Sequence, residues 1–402
     1  MALAAADPAQ ILPPYLPEPP QGRLVVVGAG KAAAKMAQVT ESFYSKHYPN
    51  VGLAGLVVTR YGHSVPTESI KVLEASHPVP DAAGVAATRE ILALAESLGE
   101  DDLLLCLISG GGSALLCAPS GVRLEDKAAL TGALLRSGAD IHEMNTVRKH
   151  LSRVKGGGLA QVAAPARVLS LIISDVAGDD LSVIASGPTV PDASTVAEAR
   201  AVLKRHGLAD AILRHAAETP KPGDAIFARI ENRLIASAQG TLEAAAAYFR
   251  QQGVTPIILS NSVTGEAREV AKVHAAIARQ IRRYGQPLGP PCLLLSGGET
   301  TVTVRGRGRG GRNCEFALSL ALELDGLEGV YALAADSDGI DGVEDAAGAL
   351  VTPETLDSLG RAAARAALDD NDAYGFFECV GSLIHTGPTL TNVNDVRMLL
   401  VL

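Results

Sequence analysis

The stretch VVVGAGKAAAKMA, Val25 to Ala37, decides how this chain is read. Three β-branched residues run into Gly28-Ala29-Gly30, then a lysine, then an alanine-rich helix former. That order is a strand, a glycine turn and a helix start, which offers an anion the N-terminal end of a helix. A nicotinamide dinucleotide, a nucleoside triphosphate or the carboxylate of a small substrate would each suit it. A Walker A loop is excluded, because that motif needs four residues between its glycines and a Ser/Thr after Gly-Lys. The dinucleotide fingerprint is incomplete, with Ala33 in place of the third glycine. Its acidic partner at the end of the second strand is also missing. That strand ends in Thr59-Arg60, so only an NADP reading with Arg60 on the 2′-phosphate survives. Lys31 adds a point charge where a phosphate or carboxylate would sit.

Outward from this turn, apolar β-type runs alternate with helical patterns. Strands are expected at Leu24–Val27, Leu53–Val58, Leu103–Ile108, Val168–Ile173, Arg233–Ala236, Thr255–Leu259, Cys292–Leu295, Thr300–Val304, Val330–Ala334 and Val396–Val401. Segments such as Ala82–Leu98, Val196–His206, Leu242–Gln252 and Gly265–Tyr284 read as helices between them. Near-continuous hydrophobic strands with interposed helices predict parallel sheets covered on both faces. The fold class is therefore α/β, with two α/β domains. The loop Glu218–Asp224 interrupts the periodicity, which gives an N-terminal Rossmann-like domain over 1–222 and a second domain over 223–402. The last apolar strand must pair somewhere, and a return toward the first domain is one option.

Composition narrows the class. The chain has 402 residues, 47% of them hydrophobic and 20% charged, with a formal net charge of −9. Such a chain buries a core and is a poor partner for nucleic acid. No apolar run is long enough to span a bilayer, and the proline-broken N-terminus does not read as a signal peptide. A cytoplasmic location is expected. The five cysteines are scattered without a CxxC pair and read as small hydrophobes. The nine histidines show no zinc spacing.

Further loops carry candidate chemistry. Ser109-Gly110-Gly111-Gly112-Ser113 offers consecutive backbone amides and two hydroxyls, an anion nest. Ser296-Gly297-Gly298-Glu299-Thr300 reads as another, a faint echo of the first. Arg305 to Arg312 places four arginines in an arginine-glycine loop. A solvated hairpin and an RNA-binding segment compete for it, with net acidity and missing aromatics against RNA. Arg312 is the most promising of the four, since it opens the helical run Asn313 to Leu318 where an anion meets a helix dipole. Asp175, Asp179 and Asp180 follow one strand, and Asp336, Asp338 and Asp341 follow another. Such carboxylates suit either Mg²⁺ or turn capping. Asn145–Gly158 carries Arg148, Lys149, His150, Arg153 and Lys155 on a helical pattern, a basic face able to complement an anionic substrate.

Together VGAGKAAAKMA, HPVPD, LISGGGSALL, NTVRKHLSRVKGGGLA, ISDVAGDDLSVIASGPTVPD, SGGET, GGRNCEFALSLAL, DSDGIDG and TGPTLTNVND resemble the class II glycerate 2-kinases. The C-terminal part of that family is called MOFRL, and its members often carry the label hydroxypyruvate reductase. The resemblance runs from about Leu24 to the end. It implies a two-domain α/β kinase, with the active-site cleft between a Rossmann-like domain and a MOFRL-type domain. The enzyme would move the γ-phosphate of ATP to the C2 hydroxyl of D-glycerate with Mg²⁺. On that basis Lys31 and Arg312 are expected to neutralise the transferring phosphoryl group and the substrate carboxylate. Asp175 is the expected base, and Asp338 and Asp341 the metal ligands. Substrate and nucleotide binding falls to Gly28, Gly30, Ser109, Gly110, Gly111, Gly112, Ser113, Arg148, Ser296, Gly297, Gly298, Glu299, Asn313, Glu315, Asn392 and Asn394. Leu390 departs from the family pattern, where a glycine is expected. The partners are ATP and D-glycerate, without nucleic acid or membrane, and a homodimer is left open. An NAD(P)H-dependent hydroxypyruvate reductase and a non-catalytic anion sensor are the alternatives.

Overall fold

The computed structural model describes residues 3–402. They divide into two compact units, residues 7–235 and residues 236–402 together with the N-terminal 3–6.

The first unit is built on a six-stranded sheet. Its strands are β1 Leu24–Ala29, β2 Leu53–Arg60, β3 Ile70–Ala75, β4 Leu103–Ile108, β5 Arg167–Ile173 and β6 Ile230–Ala236. They lie in the order β3-β2-β1-β4-β5-β6, and the β3-β2-β1-β4-β5 ladders are parallel. This is the doubly wound order expected of a Rossmann-like unit. Both β1 and β4 are buried along their whole length, so neither alternates in polarity and both read as continuous apolar runs. The order reverses between them, and their carboxyl ends form the switch point where ligands of such sheets bind. The helices Ala33–His47 and Ala82–Glu96 follow β1 and β3, close to where periodicity placed them. β6 is the far edge of this sheet, so the chain leaves the unit after it. The Glu218–Asp224 loop leads into β6 instead of separating two domains.

The second sheet comprises β7 Thr255–Ser260, β8 Cys292–Gly298, β9 Val330–Asp336, β10 Gly348–Val351, β11 Leu383–Ile384 and β12 Asp395–Val401. Its order is β11-β10-β9-β12-β8-β7. Only the β7–β8 ladder is parallel; β12 runs antiparallel to β8 and β9, and β10 antiparallel to β9 and β11. The expectation of a parallel sheet is corrected here. Hydrophobic runs report burial on two faces, and a buried antiparallel strand looks the same as a parallel one. The terminal strand does not return to the first unit; it occupies the middle of the second sheet. Thr300–Val304 forms no strand, and Thr301 makes only an isolated bridge to Glu266. The core beneath gathers Cys314, Phe316 and Leu320 of the helix Arg312–Leu324 with Ala271, Ala275 and Ala278 of the helix Ala267–Tyr284.

One close approach controls the β1 turn. Gly30 has a φ of +136°, and a Cβ placed there would stand 2.1 Å from Ser109 Oγ. Gly30→Ala is expected to cost more than about 2 kcal/mol through strain and overlap. Gly99, where an added Cβ meets nothing nearer than 3.9 Å, is the control, and Gly99→Ala should leave the denaturant midpoint almost unmoved.

Candidate functional site

In the first unit the turns after β1 and β4 lock into one another. The amide of Gly30 donates to the Val58 carbonyl at 3.2 Å, that of Lys31 to the Gly110 carbonyl at 2.8 Å, and that of Ala33 to Gly30. The amide of Ala32 donates to Ser109 Oγ at 3.0 Å. The amides that would cradle a pyrophosphate are thus consumed by the protein, and the Ser109 hydroxyl fills the space a dinucleotide would need at Gly30. Ser109 is fully buried and acts as the fastener of this junction. Gly28 serves the same close approach, lying against the Leu107 carbonyl. Gly112 is closed off by Ala185.

The side chain of Lys31 lies at the same junction. A Cβ on Gly111, which has a φ of +83°, would lie 3.5 Å from Lys31 Cγ and 3.1 Å from the imidazole of His77. Lys31, Gly111 and His77 therefore meet at the carboxyl edge of β1 and β4. Asp175, half-buried, follows β5 directly, on the strand next to β4. Ser113 Oγ pairs with Ser186 Oγ at 2.8 Å, and Ser186 donates to Asn145 at 3.3 Å. Ala185 and Ser186 are both buried at positive φ, 50° and 61°, a conformation that costs a non-glycine residue about 1 kcal/mol or more. Arg148 Nη2 approaches the Ser113 carbonyl at 3.5 Å, and buried Lys155 donates to the same carbonyl at 2.8 Å.

In the second unit the constellation centres on Arg312. Its Nε donates to Asp395 Oδ1 at 2.8 Å and its Nη2 to Asp336 at 2.7 Å, while Nη1 pairs with Glu299 at 3.1 Å. Burial alone would depress this guanidinium's pKa, but Asp395, Asp336 and Glu299 together raise it above the ordinary arginine value. Asp395 also accepts from Arg397 Nη2 at 2.6 Å and from Asn313 Nδ2 at 2.8 Å, with Asp395 and Arg397 both fully buried. The registers Asp395–Gly298 and Asp395–Asp336 bring these groups level across three strands. Asp341 accepts from the amides of Asn313 and Cys314 at 2.9 and 2.8 Å. The anion that meets this helix N-terminus is the protein's own carboxylate. Burial raises the Asp341 pKa, and these amides oppose the rise.

The family model described as a domain of unknown function, DUF4147, matches residues 1–219, and that of the MOFRL family matches residues 292–395. A D-glycerate 2-kinase of Thermotoga maritima is 42% identical over 406 residues, covering 98% of this chain and 94% of that protein. The chain belongs to the class II glycerate 2-kinase family. The crystal structure of the Thermotoga maritima glycerate kinase superposes with a TM-score of 0.88 at 42% identity, covering 100% of this chain and 97% of that one. A protein of Agrobacterium vitis provisionally named hydroxypyruvate reductase is 52% identical, with 100% of this chain and 92% of that protein covered.

Within this MOFRL-bearing chain, several expected site residues are engaged in structure. Ser296, Gly297 and Gly298 are the end of β8 and not an open nest. The Ser296 hydroxyl is bonded to His274 Nε2 at 2.9 Å, and the Gly297 carbonyl accepts from Val263 at 3.0 Å. Glycines at a strand end look alike in sequence whether they meet a ligand or another loop. Glu315 is buried and holds Arg268 at 2.7 Å and Asn371 at 2.9 Å. Asn371 in turn accepts from the amides of Arg305 and Gly306, so Glu315 positions the arginine-glycine loop. Asn392 and Asn394 are buried beside Ser337, whose hydroxyl accepts from Val393 and whose amide donates to the Asn394 carbonyl. Leu390 takes a φ of +58°, the left-handed conformation that favours the glycine expected there. Asp338 is buried in this loop and accepts from the Ile340 amide. Among the described residues no group of three or more His, Cys, Asp or Glu is gathered to hold a metal ion. His77 and Ser186 lie beside these residues without having been singled out, and the quoted HPVPD and ISDVAGDDLSVIASGPTVPD motifs were their only signal.

Asp395→Asn should lower unfolding stability by about 3–5 kcal/mol, because it leaves the fully buried Arg397 without its carboxylate and takes from Arg312 one of three. Denaturant unfolding followed by near-ultraviolet circular dichroism measures it, and Glu299→Gln, at an exposed carboxylate, is the contrast expected within about 1 kcal/mol.

Proposed function

We propose that this protein is an ATP-dependent glycerate 2-kinase, transferring the γ-phosphate to the C2 hydroxyl of D-glycerate. The observation that carries the reading against a dinucleotide enzyme is the internally satisfied β1 turn: its amides and the space beside Gly30 belong to Ser109 and Gly110. A second observation favours it: relatives named glycerate kinase extend to a human protein 37% identical over 94% of this chain. Phosphoryl transfer asks for positioning and charge neutralisation and little covalent chemistry from the protein.

Lys31 is assigned to the transferring phosphoryl group, with Gly111 leaving room for its stem and for His77. Asp175 is assigned to accept the hydroxyl proton. Arg312 holds Asp336 and Asp395 rigid through Nε and Nη2. Its Nη1, whose partner Glu299 is exposed, is the nitrogen free to exchange that carboxylate for a substrate anion. Asp341 acts as a helix cap in this assignment. Mg²⁺ fits as an ion arriving with ATP, held by phosphate oxygens and at most one or two carboxylates, of which Asp338 is the candidate. It would neutralise charge on the phosphate chain.

Incubation with Mg-ATP and D-glycerate, read by phosphorus NMR, should give a 2-phosphoglycerate signal. A 3-phosphate signal would reassign the regiochemistry. NADPH oxidation with hydroxypyruvate in place of either would install the reductase. Lys31→Ala should lower kcat/KM by roughly 10²–10⁴, and a value within about threefold of wild type removes the role given to Lys31. Arg312→Lys should also be damaging, since an ammonium cannot span three carboxylates as a planar fork does.

A further inference from the structure

The first unit contains a cavity of about 320 Å³ whose wall carries Lys127, Arg148 and Lys155, with Ser113 and Pro78 at its edge. Lys155 is 1% exposed and Lys127 7% exposed. Lys155 Nζ donates to the carbonyls of Ser113 and Leu116, at 2.8 and 3.2 Å, and Lys127 Nζ to that of Leu151 at 2.9 Å. The contact of Arg148 is the long one to Ser113. No carboxylate lies within ion-pair distance of any of the three among the described residues. An ammonium carries three donors and a guanidinium five, so most of their hydrogens have no protein acceptor.

Two buried ammoniums and a half-buried guanidinium gathered without a counter-ion are costly. The same segment shows that the fold pairs such a charge elsewhere: Lys149, equally buried, meets Asp192 at 3.2 Å. Burial, followed by repulsion from Arg148 and Lys127, pushes the Lys155 pKa down, and burial drives Lys127 to about 8. Asn145, one turn before Arg148 on the helix Ile141–His150, is also buried, and its Nδ2 has no acceptor. The arrangement is a set of donors waiting for an anion.

Charge and size choose the anion. A single carboxylate on a small acid would neutralise one of three cations and leave most of the volume unfilled. A phosphate chain answers all three, and the volume lies at the lower end of ordinary small-molecule sites. We propose that the cavity bounded by Lys127, Arg148 and Lys155 receives the polyphosphate chain of the nucleotide. The assignment rests on the kinase reading for the identity of the nucleotide, whereas the anion site itself stands on the three cations.

Calorimetric titration with inorganic tripolyphosphate, ATP and D-glycerate separates the two. Wild type should bind tripolyphosphate, and Lys155→Met should weaken both tripolyphosphate and ATP about tenfold or more. Its KM for D-glycerate should stay within about threefold. Lys127→Met and Arg148→Met give the same comparison should Lys155→Met fail to fold. A selective rise in KM for D-glycerate, or unchanged tripolyphosphate binding in all three variants, overturns the assignment. Wild-type protein that binds tripolyphosphate but yields no phosphoglycerate overturns the kinase reading and leaves the anion site standing. A readout independent of turnover comes from pH. Lys127 titrates near 8 in the folded protein against 10.5 in the free side chain, so the unfolded chain binds more protons across that window. Stability should therefore rise with pH between those values, more in wild type than in Lys127→Met. The groups facing Lys127 are Arg148, Lys155 and Cys117. Equal slopes in the two proteins would overturn the premise that Lys127 is a desolvated cation short of a counter-charge, on which the site is argued.

Discussion

The second unit depends on one fully buried carboxylate. Asp395 lies between the guanidiniums of Arg312 and Arg397 and takes a further bond from Asn313. A carboxylate in that position would be expelled or protonated without its partners. The chain keeps it by inserting β12 between β8 and β9, at the register where Asp395 faces Gly298 on one side and Asp336 on the other. A slip of one residue would turn Asp395 and Arg397 to the opposite face together and take from Arg312 one of its three carboxylates. The ion network is thus a lock on strand register as much as a feature of the site. The helix Arg312–Leu324 is tied to it from its first residue.

The first unit uses a neutral lock for a similar end. At the switch point of its sheet, the β1 and β4 turns exchange backbone bonds through Gly30, Lys31, Ser109 and Gly110. This junction commits the turn amides to bonds within the protein. It explains how a glycine turn so close to a dinucleotide fingerprint belongs to a family of kinases. The strain at Ala185 and Ser186 sits against the same junction, since Gly112 packs on Ala185 and Ser113 bonds Ser186. Strain held in a buried segment beside a site is paid for by the surrounding contacts and pre-organises what it touches.

Much of the fold was legible because long apolar strands and alanine-rich helices leave a strong periodic signal. β1, β4 and β5 fall within a residue or two of where the pattern placed them. β3, β10 and β11 left no such signal: β3 is partly exposed, and the other two are short. Site residues were legible by type and poorly by role. Lys31 and Arg312 stood out as cations beside glycine turns. Glu315, Asp341 and Ser296 stood out as polar groups beside similar turns, and each is hydrogen-bonded to a helix, a loop or a histidine of the protein itself. Whether a carboxylate serves a substrate or an amide depends on what is brought opposite it, and no local spacing records that.

Composition, periodicity and the ordered motifs by themselves determined an α/β chain with a Rossmann-like first half, a net negative charge and a kinase family's set of loops. Those properties reside in the chemistry of successive residues, so they can be read along the chain. The tertiary structure alone decided that the last strand runs antiparallel through the middle of the second sheet. It also decided that the β1 amides are already taken, and that three cations, two of them buried, share one cavity without a carboxylate among the described residues. Each of these depends on groups remote in sequence meeting at hydrogen-bond distance, where desolvation makes a missing partner costly and a present one decisive.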